Sequence, residues 1–306
     1  MKDPKGPQSD KKVDVAIARG GSVGESLTQA LDLCGGLTFI HPGDTVLVKP
    51  NIGFATPHPS TTNAQLVYEM VLKIWQRDPR RVIVGDRGSY RGATMDFMRK
   101  SGIFDAAGEA KAETISFDDG PWVRVRPKEA THWRDGFSVH HIVQEADHII
   151  SLPVVKTYKS ITFTMSLKNA VGMIRPEDRL TVLHAGGHEE PRFGSLIAEI
   201  NLAARISLVV MDGTRAMIGG GPETGEVVEP GVIIAGGDLV ACDMVGLALL
   251  KILGAPEAIT ARGVAEHSQI QRGIELKLGV AGAEAIALHG HGFAQLDELR
   301  GILLGR

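Results

Sequence analysis

Apolar positions along the chain fall into two alternating patterns. Short apolar runs at 13–17 (VDVAI), 45–52 (TVLVKPNI), 81–84 (RVIV) and 146–155 (ADHIISLPVV) are rich in β-branched residues and stop at proline, glycine or charge, as buried strands do. Between them, stretches at 22–33, 64–76 and 94–101 have the composition and caps of helices. Ser22 with Glu25 matches a capping box, and Thr61-Thr62-Asn63 offers caps to the second helix. Pro50 predicts that its strand stops at Lys49, because proline has no N–H for a central ladder. Strand and helix alternating over short connections predict an α/β fold, a mainly parallel sheet flanked by helices.

The signal weakens over 102–144, which reads as an insertion. Trp122, Val123 and Val125 alternate there with Arg124 and Arg126, as in a hairpin or edge strand, and His132, His140 and His141 read as solvent-exposed. The pattern returns with the 146–155 strand and the segment 156–172, KTYKSITFTMSLKNAVG. Lys156 should emerge at the strand end, and Lys168 should ride a helix held to the sheet by Leu167, Ala170, Val171 and Ile174. Thr157, Ser160, Thr162, Thr164 and Ser166 are poor helix formers, so something besides folding selects them. A charged loop over 175–192, a helix over 195–204, strands at 207–211 and 231–235 and a flexible Gly219-Gly220-Gly221-Pro222 loop follow. The most apolar helix spans 239–253; one more helix, a strand at 285–288 and a terminal helix complete the chain. Residues 1–12 read as a disordered tail and 13–306 as a single α/β domain, divisible into lobes 13–190 and 191–306.

Composition narrows the classes. With 306 residues, 43% hydrophobic and 23% charged, the chain matches soluble globular proteins. A net charge of -3 and a pI near 6.4 argue against nucleic acid as a partner. Cys34 and Cys242 are too few for a disulfide framework, or for the four thiolates of a cysteine-only iron–sulfur cluster. No apolar run reaches about 18 residues, so no membrane partner is expected. The basic first residues lack the apolar stretch of a signal peptide, which leaves the cytoplasm as the expected location.

Five strand ends are polar or glycine-rich: Lys49 with Asn51, Asp86 with Arg87, Lys156 with Thr157, Asp212 with Gly213, and Gly236-Gly237-Asp238. Carboxyl ends of a parallel sheet share one edge, and ligands sit outside it. These positions should therefore converge on an anion site of carboxylate or phosphate type. The expected binding set is Lys49, Asn51, Thr62, Lys156, Thr157, Thr162, Thr164, Lys168, Asn169, Gly220 and Gly221, with Asp86 and Asp212 as carboxylates for general-base or metal work. GGGPETG lacks the Gly-Lys-Ser/Thr of a P-loop, no G-x-G-x-x-G follows the first strand, and G-x-S-x-G is absent. The usual ATP, NAD and serine-hydrolase sites are thereby disfavoured.

VLVKPNI with TTNAQLV, VIVGDRGS, ADHIISLPVVKT, the T-x-T-x-x-x-KNAVG block, VVMDGTRAMIGGGPETG and GVIIAGGDLVACDMVG together resemble the family called domain of unknown function 362, over nearly the whole chain after the tail. The family name implies no activity. Many of its members carry an added cysteine-rich ferredoxin-like segment, which is absent here, and usually a histidine where this chain has Tyr158. More distantly, the layout is similar to the first domain of nickel-pincer lactate racemase, which would imply that architecture. That resemblance sets Tyr158 and Tyr90 at the two acid–base histidines, Lys168 at the lysine that carries the pincer, and His184 at a nickel-ligating histidine. A tyrosine, near pKa ~10, does not exchange protons at neutral pH as a histidine near ~6.5 does. The tyrosines therefore imply hydrogen bonding, a radical, or proton donation, with neighbouring lysines expected to lower their pKa. His184 with His188, Glu189 and Glu190 is a second candidate metal group.

The expectation is an enzyme, isomerase- or oxidoreductase-like, that binds a small anionic substrate or cofactor through the Lys/Thr/Tyr/Asn cluster at 156–169. One alternative is a carrier of a nickel-pincer nucleotide or divalent metal anchored on Lys168, working with a redox partner or as a homo-oligomer. The other is a non-enzymatic protein that binds a small anion or metal.

Overall fold

The computed structural model describes residues 12–160 and 162–306, and the tail expected over 1–12 lies, Lys12 apart, outside them. The strands are β1 (Val13–Ala18), β2 (Thr45–Pro50), β3 (Arg81–Asp86), β4 (Glu113–Ser116), β5 (Trp122–Val125), β6 (Phe137–His140), β7 (His148–Leu152), β8 (Val154–Tyr158), β9 (Thr162–Thr164), β10 (Ile206–Gly220), β11 (Gly225–Val228), β12 (Val232–Gly236) and β13 (Ile286–His291). The central sheet runs β13-β1-β12-β10-β7-β2-β3-β4. It is parallel except at β12, which lies antiparallel to both β1 and β10. The α/β class read from the sequence is the observed one.

Helices cover both faces. Leu27, Leu66, Val67, Met70 and Phe97, from helices Val23–Leu33, Ala64–Trp75 and Thr94–Lys100, pack with Val46, Val48 and Ile150 on one side. On the other, helix Leu239–Ile252 is apolar almost all round and buried accordingly, packing with Leu47, Ile149, Val209 and the helix Arg192–Ile200. Among the described residues no helix is long and apolar enough to cross a membrane.

Several local expectations are corrected. Ser22 caps its helix by accepting from the Glu25 N–H at 3.1 Å, but Glu25 reaches the Gly21 N–H at 2.7 Å rather than closing the box on Ser22. Strand β2 continues to Pro50, which pairs with Leu152 beyond the last residue paired with β3. The run 146–155 is two strands broken at Pro153, so Lys156 lies in the middle of β8 rather than at a strand end. Strand β10 is fifteen residues long and runs from alongside β7 to alongside β8. Asp212 and Gly213 are thus interior to a strand. The 231–235 strand returns through the β10–β11 hairpin; a parallel return would need a crossover of about a dozen residues or more. This reversal puts Gly236-Gly237-Asp238 at the amino edge of the parallel strands, where Asp238 caps the long helix through the Ala241 N–H at 2.8 Å.

The stretch 102–144 does more than insert. Its residues Glu113–Ser116 add β4 to the central sheet beside β3, while β5 and β6 form the expected hairpin-like pair, a separate two-stranded sheet. His140 is buried, not exposed, because its ring stacks on Phe117 at 4.3 Å.

Candidate functional site

A cavity of ≈ 650 Å³ opens where the carboxyl ends of β2 and β3 meet β8 and the segment that follows it. The chain is held there by an unusual cap. Asp243, in the second turn of the long apolar helix, accepts the Ser166 N–H at 2.6 Å, the Leu167 N–H at 3.0 Å and the Ser166 hydroxyl. Two short turns follow, Ser166–Asn169 and the 3-10 turn Ala170–Met173, with Leu167, Ala170, Val171 and Ile174 buried as their spacing predicts. Lys168 is the residue of this segment that faces away from the core, into the cavity.

Three lysines arrive in different states. Lys49 is fully buried, 2.6 Å from Asp86 Oδ1 and hydrogen-bonded to the Pro50 carbonyl and Asn169 Oδ1 at 2.9 and 3.1 Å. Burial pushes its pKa down, and the Asp86 charge opposes this. Lys156 is equally buried but meets only neutral acceptors, Asn51 Oδ1 and the Ser60 carbonyl, both at 2.6 Å. Burial, then the Lys168 charge, lowers it to about 7. Lys168 is half-buried, and among the described residues its ammonium takes no hydrogen bond or ion pair; it sits over the Tyr158 ring at 4.7 Å. Burial first, then the charges of Arg179 and Lys49, lower it to about 7 as well.

Around them the lining is strongly cationic. Among the described residues the wall carries Lys49, Arg87, Arg91, Lys156, Lys159, Lys168 and Arg179 against the carboxylates Asp86 and Glu223. Asp86 is committed to Lys49 and to the Ile52 N–H, and Glu223 to Arg91 at 2.9 Å. Arg87 pairs with Asp118 at 3.0 Å, whereas Arg179 donates only to the carbonyls of Arg87 and Gly88. Arg179 opens the π-helical turn Arg179–Leu183, a geometry that recurs at functional sites. Two imidazoles complete the wall: His184 Nδ1 lies 2.9 Å from His188 Nε2. Burial, reinforced by Lys168, lowers both, His184 to about 4, so the pair is neutral at neutral pH.

The expected residues divide. Lys49, Asn51, Asp86, Tyr90, Lys156, Tyr158, Thr164, Lys168, Asn169, His184 and Gly221 line the cavity. Tyr90 stands at its rim, 68% exposed. Tyr158 lies deeper, and burial raises its pKa; the expected lowering by neighbouring lysines does not prevail. Five others lie off the wall. Asp212 is fully buried, accepting from the Asn63 N–H at 2.8 Å and from the Thr214 hydroxyl at 2.7 Å. Thr62 donates to the Leu152 carbonyl at 2.6 Å, and Thr157 to the Gly220 carbonyl at 3.3 Å. The Thr162 hydroxyl is 3.5 Å from His267 Nδ1. Gly220 belongs to the hairpin, where its neighbour Gly221, at φ 81°, packs on the Thr157 carbonyl. Glu189 and Glu190 do not join His184 and His188 in a group of three metal donors. Sequence reading missed Arg179, hidden in a charged loop whose one clue is the Arg-Pro-Glu-Asp-Arg start of a turn.

The sequence profile of the family described as Domain of unknown function (DUF362) matches residues 46–248. A thylakoid-associated protein of Synechocystis sp. is 27% identical over 240 residues, covering 76% of this chain and 71% of its own. The lactate racemase apoprotein from Thermoanaerobacterium thermosaccharolyticum superposes with a TM-score of 0.46 at 14% identity, over 78% of this chain. The chain spans 58% of that racemase structure.

Proposed function

We propose, from the premise that the chain belongs to the DUF362 family, that it is an enzyme acting on a small, multiply charged anion held in the β2–β3–β8 cavity. One observation carries this: among the described residues the half-buried Lys168 ammonium has no counter-ion, in a cavity where the lining cations outnumber the carboxylates Asp86 and Glu223, both already paired. An uncompensated charge taken out of water is costly, and a carboxylate or phosphate bound there supplies the missing partner. Arg179, whose planar donors meet only carbonyls, is the natural fork for the same anion. Tyr158, held protonated by burial beneath Lys168, is placed to donate a hydrogen bond or a proton to charge developing on the ligand.

A nickel-pincer group of the racemase kind does not fit these residues as an acid–base catalyst. Both positions where that resemblance expects histidines hold tyrosines, one of them at the exposed rim, and the donors beside Lys168 are a histidine pair that engages itself. No step is routed through such a group.

Calorimetric titration with di- and tricarboxylates, phosphate and pyrophosphate tests the reading. At neutral pH binding should draw protons from the buffer, because Lys156 and Lys168 are only partly protonated beforehand. Lys168→Met should remove the binding while the fold persists. Unchanged affinity in that variant, or no binding to any member of the panel, overturns the proposal.

A further inference from the structure

At the opposite edge of the sheet, the amino ends of two neighbouring strands bring together residues that no part of the cavity uses. Asp44 immediately precedes β2, His148 opens β7, and His41 stands on the turn before Asp44. His148 Nε2 is 3.3 Å from Asp44 Oδ2, and His41 Nδ1 is 3.8 Å from the same oxygen. The three donor atoms lie within 4.8 Å of one another.

Three features set this apart from a pair of chance ion pairs. A separation of 3.8 Å is too long for a hydrogen bond, so His41 faces the carboxylate across a gap. Donors bound at about 2.0–2.1 Å around a tetrahedral ion sit roughly 3.3 Å apart, close to the spacing seen between His148 and Asp44. His148 is also oriented from behind: its Nδ1 is 2.9 Å from Ser207 Oγ, and the Phe39 ring meets the imidazole edge-on at 5.0 Å. A hydroxyl engaged by one ring nitrogen fixes the other toward an ion, the arrangement that accompanies metal-bound histidines. Asp44 is steadied in turn, because its Oδ2 accepts the backbone N–H of His41 at 2.7 Å and its carbonyl accepts the backbone N–H of Arg80 at 2.8 Å. Asp44 and His148 are recessed, at 21% and 20% exposure, while His41 is 74% exposed and closes from outside.

We propose that His41, Asp44 and His148 form a binding site for a divalent first-row metal ion of the zinc type, with two imidazoles and one carboxylate as ligands, Ser207 as the orienting partner, and a coordination position left open to water or a further ligand. Imidazole with carboxylate suits zinc, nickel, iron or copper better than calcium or magnesium. The site is independent of the cavity and of the reading given to it.

The test is Zn²⁺ titrated calorimetrically into chelator-stripped full-length protein near neutral pH, with Co²⁺ as a visible-absorbing substitute. One equivalent should bind at micromolar concentration or below and should be lost in Asp44→Asn and His148→Ala. His41 is exposed, so His41→Ala leaves folding intact and should still weaken binding by at least about ten-fold; Ser207→Ala, which touches no metal, should cost about 10-fold. Co²⁺ bound by the parent should absorb in the visible as a four- or five-coordinate centre, and His41→Ala should change that spectrum. No uptake by the parent, or an equivalent that persists unweakened in His41→Ala and Asp44→Asn, overturns the proposal.

Discussion

Gly172 has no side chain because two others occupy its space. A Cβ built there would collide with the Asp86 carboxylate and press on Lys49 Nζ, the buried ion pair that braces the cavity floor. Gly172→Ala should therefore force the pair apart and destabilise the protein by about 3 kcal/mol, the scale of a buried pair losing its partner; urea unfolding measures it, and a loss under about 0.5 kcal/mol, typical of a neutral surface change, would show that the pair relaxes. Lys168 makes the opposite case. Among the described residues it is a cation without a local counter-charge, so Lys168→Met should melt no lower than the parent, and higher below neutral pH, even as the cavity loses its anion. A lowered melting temperature would mean that the ammonium has a structural partner. Lys156, with its two short hydrogen bonds, separates the readings: Lys156→Met should lower the melting temperature, since it strips their donor from the half-buried Asn51 amide oxygen and from the buried Ser60 carbonyl.

The element that presents Lys168 is too short to be stable alone, since one turn of helix forms few bonds for the freedom it gives up. Asp243 holds it from a distant part of the chain, with three donors on one carboxylate. Asp243→Ala should thus weaken anion binding as well as the fold, through the position of Lys168 rather than its charge, and amide exchange at Ser166 and Leu167 should quicken more than in helix Leu239–Ile252. Equal acceleration in both places would show global loosening instead. This arrangement explains which parts of the segment could be read in advance. The apolar stripe Leu167, Ala170, Val171 and Ile174 is local and was legible; the cap is a long-range pairing to a residue that looks misplaced in an apolar helix, and no window of sequence contains both. The same distinction separates β2 and β3, whose polar residues Lys49, Asn51, Asp86 and Arg87 meet at the cavity as expected, from β12, whose direction depends on a hairpin upstream. Pro153 was legible as a stop but not as a break, because the next residues pair again at once with β10.

Across the whole molecule, charge is the quantity most out of balance at the cavity. Lys156 and Lys168 titrate near 7 when folded and near the ordinary 10.5 when unfolded. Between these values the unfolded chain binds more protons, so stability of the ligand-free protein should rise as pH is taken from about 7 toward about 10, with the full penalty present below 7. Melting curves across that range test it, and Lys168→Met should flatten the rise. Anion affinity should run the other way, falling as pH passes upward through about 7 and the ammoniums are lost. The cationic strand ends were legible residue by residue, but the imbalance was not. It required knowing that Asp212 is buried elsewhere and that Arg179 turns inward. One backbone joins this hollow to the centre of the protein. Strand β10 begins beside β7 in the middle of the sheet and ends past Lys156 at the cavity wall, fifteen residues that stay one strand although their register shifts on the way. A guest gripped at the far end is thereby clamped to a rail anchored among fully buried residues, so occupancy should be audible along it as slowed deuterium uptake, well away from any atom the guest touches.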